Sequence, residues 1–265
     1  KIFRYDASAG VITGGASPTA FLSGVGSVMS AMIDTTGNLY VGTGATFFSV
    51  HKYAATGGIP GTSGIVLGTG FNNVSDIVET PTGDLLIADS GDGKVYRVSP
   101  ASAFTKDIAL ASGSVPGAQQ MYLGAAKNLY VVSADAGKVI KFPAVGGAVS
   151  LTNPVHFITG LNYPAAITSD GAGNFYVGDD RGSDLGHLYR FGATGGSLGT
   201  DGTLVHAFAG TPISELMWAG GNTLYATVSN GTGGSVAKIT LPAANAAPTL
   251  GGITTATPIN DTATA

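Results

Sequence analysis

The chain is 265 residues long, enough for one large core or two domains, and carries a formal net charge of −4 with an isoelectric point near 5.4. That acidity argues against nucleic acid as a partner, which demands a basic face, and the lack of cysteine excludes disulfides, thiolate metal sites and haem attachment. Forty-two glycines beside only 11% charged residues, with no apolar run near the roughly 18 residues of a membrane span, indicate many short buried strands and tight turns rather than membrane insertion.

The chain opens on Lys1-Ile2-Phe3-Arg4-Tyr5-Asp6, strand chemistry with no initiator Met and no signal peptide before it. The pattern, aliphatic second, Lys or Arg fourth, apolar fifth, returns as SVHKY ending at Tyr53, KVYRV at Val98, KVIKF at Phe142, HLYRF at Phe191 and SVAKI at Ile239. The intervals are 48, 45, 44, 49 and 48 residues. The basic column Arg4, Lys52, Arg97, Lys141, Arg190 and Lys238 holds half of the chain's Lys and Arg, so the match is a true repeat. A turn and a second strand precede five of the six copies: GNLYVGTG (37–44), GDLLIADS (83–90), KNLYVVSA (127–134), GNFYVGDD (173–180) and NTLYATVS (222–229). Before each turn lies a short apolar stretch (SAMID, SDIVE, QQMYL, AAITS, SELMW). After each basic strand a Gly/Pro/Ser-rich loop leads to a fourth stretch such as GIVLGTG, VHFITG or LVHAFAG. One unit is therefore four short antiparallel strands, a to d, and no useful helical periodicity is present.

Such a unit cannot bury both faces alone, whereas copies stacked radially about an axis can. The expected fold is all-β, a β-propeller of four-stranded antiparallel blades, either six-bladed with one incomplete or five-bladed. The blade units fall at 1–24 (strands c and d only), 28–70, 71–114, 115–160, 161–210 and 211–242. Residues 243–265 form a tail or the start of a following β module, with Thr249–Ile253 the candidate last strand. The opening in mid-strand reads as a boundary within a longer parent polypeptide.

GDLLIADSGDGKVYRVSP (83–100) and LNYPAAITSDGAGNFYVGDD (161–180) resemble NHL-type repeats, and the likeness spans 28–242. Gluconolactonase-like enzymes, streptogramin lyases and non-enzymatic bacterial surface propellers share this look. The tail APTLGG…INDTATA resembles repeat starts of bacterial adhesins with immunoglobulin- or cadherin-like domains. Fold transfers from such resemblance; activity does not.

In this topology the b–c and d–a connections share the face on which propellers usually bind. The b–c loops gather Asp89, Asp92, Asp135, Asp179, Asp180 and Asp184, partly offset by Lys94, Lys138 and Arg181. Carboxylates on Gly-enabled turns suit Ca²⁺, for which Asp89, Asp92, Asp179, Asp180 and Asp184 are the candidate ligands. Turn aspartates that cap their own backbone are the commoner use. The d–a connections bring Asn72, Asn73, Asp76, Gln119, Gln120, Asn162, Tyr163 and Glu215 to the expected ligand-binding face. The gluconolactonase resemblance implies one divalent metal in an axial channel with a carboxylate base, roles open to Asp76, Glu79 and Glu215. Lyase chemistry would need a positioned His, yet His51, His156, His187 and His206 fall on strands c and d. No nucleophile elbow, phosphate loop or paired-His metal motif is present. Phe47 and Phe48 offer a candidate docking patch, and Trp218 a core residue.

The expectation is a non-catalytic interaction or structural module of a larger secreted or cell-surface bacterial protein. Its partners are a protein, a glycan or further copies within a surface assembly, with no nucleic acid and no organic cofactor. The alternative is a metal-dependent lactonase-like hydrolase or lyase with its site in the axial channel.

Overall fold

Short runs of β-branched and aromatic residues, punctuated by Gly-Asn and Gly-Asp turns, make strands throughout, and no helix occurs among the described residues. The computed structural model describes residues 2–4, 7–8, 11–12, 19–44, 49–57, 59–99, 106–109, 115–181, 184–229, 234–242 and 257–260. Strand β1 (Ile2–Arg4) pairs with β4 (Thr19–Leu22), and β2 (Ala7–Ser8) with β3 (Val11–Ile12). Both pairs lie within the first copy of the repeat, residues 1–24.

Five antiparallel four-stranded sheets follow among the described residues. The first is β5 (Ser27–Ile33), β6 (Leu39–Gly44), β7 (Val50–Thr56) and β8 (Ile59–Gly68). The second is β9 (Val74–Glu79), β10 (Leu85–Asp89), β11 (Lys94–Val98) and β12 (Lys106–Ala109). The third comprises β13 (Ala118–Leu123), β14 (Leu129–Ser133), β15 (Lys138–Phe142) and β16 (Val155–Thr159). The fourth contains β17 (Pro164–Ser169), β18 (Phe175–Arg181), β19 (Asp184–Phe191) and, after the two-residue β20 (Gly196–Ser197), β21 (Thr203–Ala207). The fifth is β22 (Ile213–Gly220), β23 (Thr223–Ser229), β24 (Gly234–Thr240) and β25 (Thr257–Asn260). Each sheet runs a-b-c-d in space as in sequence. The fold is a five-bladed β-propeller, the smaller of the two blade counts that the sequence allows. Thr249–Ile253 lies outside the described residues; the fourth strand described in the last sheet is Thr257–Asn260, opposite Ser235–Lys238.

The chain divides into two compact units, Lys1–Phe3 with Ala20–Ala136 and Ile140–Val155, and Arg4–Thr19 with Gly137–Val139 and His156–Ala265. In the first unit, β9 packs against β5 and β13. There β6, β10 and β14 are buried at every position, because a second strand has neighbours on both faces. Leu85, Ile87, Tyr96 and Val98 meet Tyr40, Val50, Phe71 and Val74 in one core, and Leu86, Ala88 and Val95 meet Val115, Met121, Leu129, Val131 and Phe142 in another. In the second unit, β17 packs against β22, and Leu188, Ile213, Leu216, Leu224 and Ile239 are its heart. Trp218 is half-buried against this core, stacked on Tyr176 at 6.2 Å between ring centroids.

Two devices recur, the first in all five sheets and the second in four of them. The a strand shifts register near its start, at Val28/Ser30, Val74/Asp76, Ala118/Met121, Pro164/Ala166 and Ile213/Glu215, a β-bulge that re-aims the next side chain. A backbone clasp spanning seventeen residues also joins the end of strand b to the d–a connection. Ser90, Ala134, Asp180 and Ser229 donate their amides to Asn73, Gly117, Tyr163 and Pro212 at 2.9–3.2 Å.

The c–d connections correct the sequence reading of ordinary loops. Residues 54–56 and 59–64 extend the β7–β8 hairpin, and residues 192–203 contribute β20, which lies parallel to β16 and gives the third sheet a fifth strand.

Candidate functional site

Near its end each strand b holds one equivalent position, Thr43, Asp89, Ser133, Asp179 and Val228, all buried. A carboxylate with no solvent contact needs donors, and here backbone supplies them. Asp89 accepts the amides of Asn72 (2.8 Å), Asn73 (2.9 Å) and Asp92 (3.2 Å). Asp179 accepts those of Asn162 (3.0 Å) and Tyr163 (2.9 Å). Two metal candidates and four binding-face candidates therefore meet, but through main-chain bonds that fix the turn into strand a.

The remaining rim acids have similar employment. Asp92 accepts the Tyr96 hydroxyl at 2.6 Å; burial first, then this bond and the negative charge beside it, raise the Tyr96 pKa. Asp180 accepts the amides of Gly186 (3.2 Å) and Ile213 (3.1 Å), tying the b–c loop of the fourth sheet to the start of β22. Burial raises its carboxyl above the usual range, against the pull of those two donors. Asp135 is exposed. The Asp184 side chain, and all of Phe47 and Phe48, lie outside the described residues.

Among the expected channel residues of the first unit, Asp76 bridges sheets: its Oδ2 accepts the Met121 amide at 2.7 Å and its Oδ1 the Ile77 amide at 2.8 Å. Glu79 accepts the Thr35 amide at 3.1 Å. Asn73 Nδ2 donates to Ser90 Oγ at 2.7 Å, while Gln119 and Gln120 sit half-buried at the β13 register shift. In the second unit, Tyr163 is exposed and Glu215 has no hydrogen-bond partner among the described residues. Glu215 keeps contact with solvent, yet the protein packed around it strips enough water away to raise its carboxyl. All four histidines are on strands c and d; His51 Nε2 is 2.8 Å from Ser49 Oγ, and buried His187 Nδ1 has no partner among the described residues. No group of three or more His, Asp and Glu converges as metal ligands would among the described residues.

Acids overlooked in the sequence reading prove as well engaged. The a–b turns read Asp34-x-x-Gly37-Asn38 and Asp170-x-x-Gly173-Asn174, a spacing visible in the sequence. Asp34 accepts from the amides of Thr36 and Asn38, the Asn38 side chain and the Tyr40 hydroxyl, at 2.7–3.1 Å. Asp170 accepts from Ala172, Asn174 and Tyr176 in the same way. Burial, then the charge and hydrogen bond of Asp170, push Tyr176 up to about 12. The basic column has structural work too. Arg97 donates to the Val149 carbonyl at 3.0 Å and lies 3.7 Å from Asp84, Arg190 donates to Asn174 at 3.0 Å, and Lys52 and Lys141 sit over Tyr40 and Tyr130.

No protein-family model matches the chain, and no curated protein matches it by sequence. Solved structures match by fold. Virginiamycin B lyase from Staphylococcus aureus aligns with a TM-score of 0.53 at 10% identity, over 81% of this chain and 67% of that one. The PQQ-bound aldose sugar dehydrogenase from Streptomyces coelicolor aligns with a TM-score of 0.67 at 13% identity, over 89% and 84%. A Lactobacillus plantarum protein gives 0.58 at 12% identity, over 92% and 74%. The shared feature is the propeller. The NHL- and streptogramin-lyase-like look of the sequence is thus matched at the level of fold, which hosts many activities.

Proposed function

We propose that the chain is a non-catalytic interaction module of a larger secreted or cell-surface bacterial protein, offering its loops and edges to protein, glycan or like subunits. One observation carries the reading. Asp76, Glu79, Asp89, Asp179 and Asp180, the acids best placed for a metal or a base, each accept backbone amides. A carboxylate that gave these up for a metal would forfeit charge-assisted bonds worth about 1.5–3 kcal/mol each. The alternative, a metal-dependent hydrolase or lyase, retains Glu215, the one candidate carboxylate without a hydrogen-bond partner among the described side chains.

The test is a turnover screen of the purified chain on lactones and on cyclic depsipeptides, with Mg²⁺, Mn²⁺ or Ca²⁺ added, together with calorimetric titration of each ion. The expected result is neither turnover above background nor a saturable heat. Metal-stimulated turnover that disappears in Glu215→Gln would overturn the reading in favour of the enzyme.

A further inference from the structure

Where consecutive sheets meet inside either unit, strand a of the later sheet rests on strands a and b of the earlier one. β9 packs against β5 and β6, β13 against β9 and β10, and β22 against β17 and β18. The residue paired with the third position of strand b shows the effect. Ile77, Met121, Ile167 and Leu216, opposite Ile87, Val131, Val177 and Ala226, are 1–4% exposed. The first sheet departs from this. Ala31, opposite Val41, is exposed, and Ile33, opposite Leu39, is 62% exposed.

Residues paired directly across two strands share a face, so Ala31 and Ile33 lie on the face of Val41, Leu39 and Tyr53. That face is covered over strands b and c: Leu22 and Val25, with Ile2 and Phe21, close on Leu39, Val41 and Tyr53 in one core. The cover stops short of strand a. β1 has the spelling of a strand c, and among the described residues its one sheet neighbour is β4. The edge on which a strand b would pair is open.

We infer that this open place seats an a–b hairpin of the same repeat, joined ahead of β1. Its b strand pairs with β1 and its a strand lies over Ala31 and Ile33, so that with β1 and β4 it makes a sixth four-stranded sheet. A purely apolar ligand would cover the face and leave the β1 edge unpaired, whereas a hairpin serves both. In the five complete sheets strand b runs directly into strand c, which places the donor segment next to β1 in the chain. The fifth sheet shows how such a hairpin is received. Trp218, opposite Leu224, holds the place of Ile33; its amide donates to Thr168 Oγ1 at 3.2 Å and its ring stacks on Tyr176. Leu216, in the place of Ala31, joins Ala166 and Tyr176 of that preceding hairpin in one core.

The chain has no cysteine, so Ile33→Cys gives a single reporter thiol. Its rate of maleimide labelling is compared in the 265-residue chain and in the same chain with a copy of residues 164–186, the stretch preceding strand c in the fourth sheet, fused ahead of Lys1. Expected in the fusion is labelling slowed at least about tenfold, with slower amide exchange at residues 2–4. Tyr176→Lys, made in the fused copy alone, should restore the rate. Leu204→Cys, at an exposed position on β21, should label alike in both chains. Equal labelling of Ile33→Cys in the two chains, or a slowing that Tyr176→Lys does not reverse, overturns the inference. Labelling of the unfused chain that slows as its concentration rises gives the face to a second copy and overturns it too. The interaction-module proposal does not fall with it, since that is decided by metal-stimulated turnover.

Discussion

Asp34 spends its carboxylate on a single turn. Burial alone would raise its pKa, but the hydrogen bonds from Asn38 and Thr36 outweigh burial and bring it down to about 2. A depressed carboxylate stabilises the fold above its unfolded pKa, and that contribution fades as pH falls from about 4 through about 2. Asp34→Asn should therefore cost about 1–2 kcal/mol in urea unfolding at pH 7, with the gap to the parent narrowing towards pH 2. Lys127 occupies the turn position held elsewhere by Gly37, Gly83 and Gly173, and has a φ of 62°. A side chain in that left-handed conformation is strained, so Lys127→Gly should raise stability by about 0.5–1 kcal/mol despite glycine's greater unfolded-state freedom. Denaturation midpoints decide the matter; a loss of stability would mean that the lysine contributes something the turn geometry does not show.

At the scale of elements, consecutive sheets are stitched at their connections. The carbonyls of Gly93, Gly137 and Gly186 in the b–c turns accept the amides of Val115, Leu161 and Phe208, each a buried residue leading into the next sheet. Gly186 has a φ of 78°, and a Cβ there would overlap the carbonyl oxygen of Thr211. Gly186→Ala should cost about 2–4 kcal/mol, whereas Gly192→Ala, with open space around it, should stay within about 0.5 kcal/mol. Thermal unfolding of the pair would reveal the contrast. The four-strand rhythm was legible because each column (the turn Asn, the buried b strand, the basic c strand) recurs at a spacing that chance does not produce. The bulges were not, since register belongs to a strand pair and not to one strand. The fates of Asp89 and Asp179 were equally hidden: the donors that tie them to the d–a connections lie 16 and 17 residues away, and an aspartate in a Gly-rich turn reads alike whether it caps backbone or awaits an ion.

Across the whole molecule, the acids pull acid stability in opposite directions. Asp34 is held low, while Asp180 and Glu215 are raised chiefly by burial. A raised carboxylate disfavours the fold once ionised, so its penalty is absent below the unfolded pKa and present at neutral pH. Glu215→Gln should consequently stabilise the chain at pH 7 by a few tenths of a kcal/mol, roughly, after allowing for its contact with water, and the gain should vanish below about pH 4. Chemical unfolding at both pH values checks the sign. Repetition made the propeller readable from the sequence, whereas the candidate site depends on departures from repetition. Only the fifth sheet has a glutamate where Asp76 bridges its neighbour, and nothing local announces that difference. Repetition has a further consequence. Ala55-Thr-Gly-Gly-Ile-Pro-Gly-Thr-Ser-Gly64 and Ala193-Thr-Gly-Gly-Ser-Leu-Gly-Thr-Asp-Gly202 are close cousins, yet one prolongs its own hairpin and the other leaves home to plate an adjoining sheet. Spelling takes part in the choice: Leu198 donates the amide that holds its segment to Thr159, where Pro60 at the matching place has no N–H to give, and Asp201, matching Ser63, accepts the Ser197 amide at 2.9 Å, so a few substitutions in such a connection can redraw the outline of a blade while its buried framework stays the same.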